Sequence, residues 1–554
     1  MAENEEILTI KEDDYIGLAA KRKDDGDLVG SLTILLNLEE SGATDAEIYA
    51  MIGEIYFDME IYSLSREYWF RYLAAATSVK SKLRAYSALG ATYCITMDNY
   101  LMGYYYDLEF SLKPQEEQEY DHVLMDYFDY AKNEFPEFYV TYPTEGLSSE
   151  NLFVSAVDLA EKGDLKEALE RFSLVRPDYE DFDEAVYRAA YCMRDLGNTD
   201  EEILDFLKKK FDEAKYKGKI ALYILDFLKK DDASLVKFYL DEAAEGDSDE
   251  PSDWYFIARL YADIGCIDEA LDALDKSLYY NPYEVRSLFL YGVLCYNDGD
   301  LKNASYYFKT GYDISRDTVN LFYYRLSNDP KCQSLYPRLK TSYSLPEREA
   351  AERITEVAFL VAGEKGRIKK YTPDELIALA DFGLEFTNNL LDDMLKCLIK
   401  YAPLKVKNHV IDKLFAENIR NYVKMRIVEA LVLSGYSKKL DVVFDGIYLK
   451  LKIYKATFDG ESGDTFLKAY AKAVSKSFPF CKDLSKIRNG AYYVHALIEN
   501  NGKLSEVTDE NALAAAIVEK SDVGKFEAAA VYKLFSTTKD AVKRIKSLFA
   551  EEGK

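Results

Sequence analysis

Apolar positions recur along most of this chain at intervals of three and four residues, the spacing that predicts α-helices with one buried stripe. The intervals themselves repeat. In WYFIARLYADIGCIDEALDALDKSLYYNP, residues 254–282, Trp254, Tyr261 and Leu274 are large, Ala258 and Ala270 are small, Gly265 lies between them and Pro282 closes the stretch. For a unit that starts at 251, the large residues take the fourth, eleventh and twenty-fourth places and the small ones the eighth and twentieth. One 34-residue step further, the pattern returns as Leu288, Gly292, Cys295, Gly299, Ala304 and Phe308, with Arg316 where the Pro stood. Earlier units begin at 149, 183 and 217, the last degenerate, and others at 12, 46 and 83.

Each unit predicts two helices joined by a short turn. Small side chains at the eighth and twentieth places let the helices approach, and large ones fill the groove beside them. Gly at the fifteenth place ends the first helix in a left-handed conformation, and Pro cannot continue the second. A single pair cannot bury its stripe alone, so units must stack. These offsets resemble those of the tetratricopeptide repeat family over about 12–116 and 149–318, roughly half of the chain. The resemblance implies a binding scaffold in which the first helix of each unit lines a concave face.

The expected architecture is therefore all-α, a solenoid of two arrays followed by a C-terminal helical region. The boundaries are an N-terminal array over 1–116, an irregular insertion over 117–148 marked by Pro136 and Pro143, a second array with a capping helix (NLFYYRL) over 149–345, and a helical domain over 346–554. In that last region the 34-residue register is lost. TPDEL at 372–376 predicts a helix start, with Thr372 and Glu375 as a capping box. Further helices are expected at LLDDMLKCLIKYA, YVKMRIVEALVLSGY, LDVVFDGIYLKLKIY and DTFLKAYAKAVSKSF, forming either a bundle or a HEAT-like solenoid.

Charge divides the chain in the same place. Residues 346–554 hold 34 Lys+Arg and 30 Asp+Glu, whereas 1–345 hold 36 and 68. So acidic a field repels nucleic acid and anionic membrane, which leaves protein as the partner of the arrays. The seven cysteines are scattered without a CxxC pair, as expected of reduced thiols in a cytoplasm. The acidic start MAENEEILTIKEDD has no secretory core, and no apolar run near 20 residues predicts a membrane span.

Candidate chemistry is sparse. His122, His409 and His495 have no partners at metal-ligand spacing, and no nucleophile elbow, phosphate loop or dinucleotide fingerprint occurs. No catalytic residue, cofactor or metal is expected, and the protein is read as a non-enzyme. The repeat resemblance implies that the second, fifth, ninth and twelfth places of each unit face the groove. Across the units at 183, 251 and 285 this selects Tyr187, Tyr191 and Arg194, Tyr255 and Arg259, and Arg286, Phe289 and Tyr296 as tentative partner-binding residues. The Lys/Asn clamp by which some family members hold a terminal carboxylate is not matched. The favoured function is a cytoplasmic scaffold that binds a peptide or protein on this aromatic and arginine lining, so that Tyr255→Ala with Arg259→Ala is expected to abolish capture without lowering the melting temperature. The alternative is a partner-sensing regulator. Its DNA reader would be FEAAAVYKLFSTTKDAVKRIKSLF, a helix-turn-helix-like segment with Lys539, Lys543, Arg544 and Lys546 on the second helix and Asp540 placed against the idea.

Overall fold

A computed structural model describes residues 12–114, 149–227, 248–362, 367–384, 389–521 and 528–549, apart from single positions 44, 97, 162, 178, 180, 215, 216, 461 and 482, together with 239–240, 243–244 and 523. The expected insertion at 117–148 lies outside the described residues. The helices fall on the predicted units. In the first array these are α1 Glu12–Asp24, α2 Leu28–Glu40, α3 Ala46–Asp58, α4 Tyr62–Ala75, α5 Val79–Ile95 and α6 Asn99–Leu112. In the second they are α7 Ser149–Glu161, α8 Leu165–Ser173, α9 Phe182–Asp195, α10 Asp200–Glu213, α11 Lys217–Phe227, α12 Pro251–Asp263, α13 Ile267–Tyr280, α14 Val285–Asp298 and α15 Leu301–Ser315. The capping helix α16 is Thr318–Asn328, and the short α17 is Pro330–Leu335.

The offsets have the expected causes. Ala258, Ala270, Ala304 and Phe308 are fully buried, and Trp254 is nearly so, its indole N–H donating to the Ser248 carbonyl at 2.8 Å. Gly265 and Gly299 sit at φ 84° and 90°, where a side chain would be strained. Gly292 is a different case. Its conformation suits any residue, but a Cβ there would lie 2.6 Å from the Phe308 ring. The same eighth-place Gly under a twenty-fourth-place ring recurs as Gly53 under Trp69 and Gly90 under Tyr106. Helix contact, not a turn, requires glycine at these three places.

The C-terminal helices are α18 Glu347–Val361, α19 Pro373–Leu384, α20 Asn389–Tyr401, α21 Leu404–Asp412, α22 Asn421–Leu433, α23 Gly463–Ser477, α24 Ser485–Asn500, α25 Glu510–Lys520, α26 Ala528–Leu534 and α27 Lys539–Leu548. Thr372 and Glu375 form the expected box: the Thr372 N–H donates to Glu375 Oε2 at 2.7 Å and the Glu375 N–H to Thr372 Oγ1 at 3.3 Å. Helices α23, α24, α26 and α27 pack around α25, whose residues from Ala512 to Val518 are all buried. Four of those seven are alanines, which let neighbours approach on every side.

One expectation fails. LDVVFDGIYLKLKIY is not a helix but an antiparallel hairpin, β1 Lys439–Phe444 and β2 Ile447–Lys452. Asp445 and Gly446 both have positive φ, 50° and 70°, the geometry of a two-residue hairpin turn. Val442, Val443 and Phe444 favour a strand over a helix.

The described residues of Leu35–Glu145 and Ala350–Lys554 belong to one compact unit, with the first described residues up to Ala20. Those of Gly146–Glu349 belong to a second, with Lys21–Ile34. The N-terminal array and the C-terminal region, separate in the sequence reading, thus share a unit. Their joint is the hairpin tip. The Tyr105 hydroxyl on α6 donates to the Gly446 carbonyl at 2.5 Å and accepts from the Tyr448 N–H at 3.2 Å. Arg66 on α4 forks onto Glu417 at 2.6–2.8 Å, and the Tyr93 hydroxyl donates to the same carboxylate at 2.9 Å. Phe415, Val443 and Ile447 enter one apolar cluster with Trp69, Phe70 and Leu89 of the array.

Candidate functional site

The face formed by the first helices of the second array is not bare. After α17 the chain runs without regular structure over 336–346 and lies across α12, α14 and α16. Asn297, at the end of α14, grips this strap by its side-chain amide. Its Nδ2 donates to the Leu339 carbonyl at 3.0 Å, and its Oδ1 accepts from the Leu339 N–H at 2.8 Å. Both main-chain groups of one residue are thereby satisfied, as a neighbouring strand would satisfy them. The Tyr296 hydroxyl donates to the Tyr336 carbonyl at 2.9 Å, the Tyr323 hydroxyl to the Ser344 carbonyl at 3.1 Å, and Thr341 to Asp263.

Three strap side chains pack on the array, the first being Tyr336, edge-on to Phe322 with 5.8 Å between ring centres. Leu339 is 6% exposed and joins the array's apolar cluster. Tyr343 stands edge-on against Phe289, with 5.0 Å between ring centres, and its hydroxyl accepts from Asn320 Nδ2 at 2.9 Å. Burial, then the nearby Asp317 carboxylate, push the Tyr343 hydroxyl well above the usual tyrosine range, so it stays neutral. Beside the strap lies an open pocket of about 250 Å³, lined by Tyr323, Tyr336, Leu339, Leu345 and Pro346 and rimmed by Arg338 and Arg348.

The residues selected from the sequence divide into three groups. Tyr296 belongs to this face as expected, although only its hydroxyl works at the strap. Tyr255 and Phe289 are 1% and 0% exposed and so are not open lining. Tyr255 packs against Phe256, with Arg286 stacked over both rings at 5.3 and 5.4 Å and held by Glu284 at 2.9 Å. Tyr255→Ala would therefore cost stability by opening a cavity, contrary to the expectation that it spares the melting temperature. Arg259 is half-buried and reaches Asp263 at 3.9 Å. Tyr187 and Tyr191 form the third group, half-buried and joined hydroxyl to hydroxyl at 2.9 Å, with the exposed Arg194 stacked 4.0 Å over Tyr191. Asn297, Asn320 and Tyr323 were missed. Asn297 is one place beyond the twelfth position of its unit, and the other two lie on the capping helix.

Elsewhere the expected chemistry is thin. His122 lies outside the described residues. His409 pairs with Asp381 at 2.7 Å, and His495 packs edge-on to Phe466. Against the burial that would raise it, Lys413 and then His409 hold the Asp381 carboxyl down at about 2. The cysteines are free thiols. Among the described residues no group of three or more His, Cys, Asp or Glu is placed to hold a metal ion, and no helix is long and apolar enough to cross a membrane. In the helix-turn-helix-like segment, α27 buries Val542 and Ile545 and commits Lys546 to Glu519, leaving Lys539, Lys543 and Arg544 exposed beside the exposed Asp540. Three exposed cations with an anion among them do not support a DNA reader.

No protein-family model matches the chain, and no curated protein matches it. Among solved structures, the crystal structure of yeast Tom70 aligns with 75% of this chain and 98% of its own, at 12% identity and a TM-score of 0.24. A likeness that distant carries no argument about partner or role.

Proposed function

We propose that this protein is a non-catalytic interaction scaffold of tetratricopeptide type, acting in a reducing cytoplasm, whose second array holds an extended segment of a protein partner on the face of its first helices. One observation carries the reading: Asn297 clasps both main-chain groups of Leu339 on that face. A side chain that satisfies backbone groups of an extended segment binds by shape, whatever the sequence. The exposed Arg194 over Tyr191 continues the face with groups that often dominate interfaces. Free thiols fit the compartment.

The test is affinity capture from the host extract with the wild type and with Arg194→Ala combined with Asn297→Ala. Partners lost by the variant, with an unchanged thermal transition, support the reading. An identical set of partners from a folded variant sinks it.

A further inference from the structure

Resting on that scaffold reading, we propose that the face takes extended segments of the pattern Leu-x-x-x-Tyr, and that strap 336–346 is this chain's own copy of that pattern, which a partner must displace. The contacts sort into two kinds. Asn297, Tyr296 and Tyr323 hydrogen-bond to the strap's main chain, so any extended peptide could make those bonds. Selectivity lies in two places four residues apart. One is the apolar seat of Leu339; the other is the slot where Phe289 meets the Tyr343 ring and Asn320 its hydroxyl. A ligand lacking the phenol would leave the Asn320 amide without that acceptor.

The strap is also an imperfect filler. Pro337, Arg338, Lys340 and Ser344 are exposed, so much of its length makes no contact that a partner would have to replace. Its residence is favoured by covalent tethering, since α15, α16 and α17 are all that separate it from Asn297. A short tether gives an effective concentration on the order of 1 mM. A separate peptide with a dissociation constant near 10 µM would then bind about 100-fold more weakly while the strap is seated.

The experiment uses the full chain and a fluorescent peptide with the sequence of residues 335–346, LYPRLKTSYSLP. Leu339→Asp with Tyr343→Ala unseats the strap. Anisotropy should show tighter peptide binding by 10- to 100-fold relative to the wild type. Adding Asn297→Ala should cancel the gain, and a peptide with Asp for its second Leu and Ala for its second Tyr should not bind. If the double variant loses its thermal transition, Tyr343→Ala at its half-buried position is the milder opener, read in the same way. A folded, unseated variant that binds the peptide no better than the wild type overturns the proposal. If that variant nevertheless gains host partners through Arg194 and Asn297, the scaffold reading survives and only the strap pattern fails. A concentration-dependent dimer formed by strap exchange would assign the seat to a second copy of the chain, and would also overturn the proposal.

Discussion

The two arrays are built alike and covered differently. Both use the glycine-under-ring contact, Gly53 with Trp69 in the first and Gly292 with Phe308 in the second. The first is covered by a folded element. The hairpin brings Val443 and Ile447 into the array's own apolar cluster, and the segment after α21 adds Phe415 and the Arg66–Glu417 fork. The second is covered by a single irregular strap, from which Leu339 enters the core as a buried residue while Tyr336 and Tyr343 pack against it half-buried. A cover that shares a core cannot leave without unfolding. A cover held by main-chain bonds to Asn297, Tyr296 and Tyr323 can leave a finished array behind. Permanence and access are thus set by how many apolar groups the covering segment contributes.

The two tryptophans make this contrast measurable, because Trp69 lies in one unit and Trp254 in the other. With Trp254→Phe as background, Trp69 fluorescence reports the first unit, and the converse variant reports the second. The largest effect is expected from Arg66→Ala. The Glu417 side chain is only 18% exposed, and stripping its cation should cost about 3–4 kcal/mol, seen as an earlier Trp69 denaturation midpoint. Gly292→Ala comes next. Its methyl would press on Phe308, and roughly 1–3 kcal/mol should be lost from the Trp254 transition alone.

Acid separates the units more gently. Burial raises the Asp183 carboxyl of the second unit to about 6, despite Lys219 at 2.5 Å. Its folded pKa exceeds the unfolded one, so its contribution is complete below about pH 4 and is lost as pH rises through 6. The stability of Asp183→Asn relative to the wild type should therefore fall by roughly 1 kcal/mol from pH 7 to pH 5, read on Trp254. Asp381 in the first unit, held at about 2, has the opposite sign. Its contribution is present above about pH 4 and fades as pH falls through 2, so it should be silent in the same window. Tyr343→Ala should cost no more than the roughly 2–3 kcal/mol that a preference of about 100-fold for the seated strap is worth, and only on Trp254. Hydrogen exchange should nonetheless show lost protection at Leu339, whose N–H is bonded to Asn297. An equal loss throughout α12 and α14 would mean that the strap is part of the array's core and that the contrast is false.

The repeats were legible because size alternates at fixed offsets. Ala258, Ala270 and Gly265 each have one physical reason for their place, and several units keep the register. The hairpin was legible in principle, since Asp445-Gly446 between β-branched and aromatic residues is a turn signal; the apolar spacing of LDVVFDGIYLKLKIY also allows a helix, and its neighbours are helical. The binding face was half legible. Counting places selected Tyr296, whose hydroxyl bonds the strap, and the half-buried Tyr187–Tyr191 pair with Arg194, but could not show that Tyr255 and Phe289 are covered. What covers Phe289 is a segment with no periodicity of its own, YPRLKTSYSLP, placed by long-range contacts that no local pattern encodes.

The glycine-under-ring contact also sets where this chain can tolerate a change of length. Gly53 and Trp69, Gly90 and Tyr106, and Gly292 and Phe308 are each separated by the same 16 positions. One residue inserted in the turn between them would rotate the second helix by about 100° and swing the ring away from its seat. The turns at 59–61 and 299–300 are therefore fixed rulers. The units at 149, 183 and 251 keep the same 16 positions between Ala156 and Phe172, Ala190 and Phe206, and Ala258 and Leu274, so their turns should tolerate an extra residue no better.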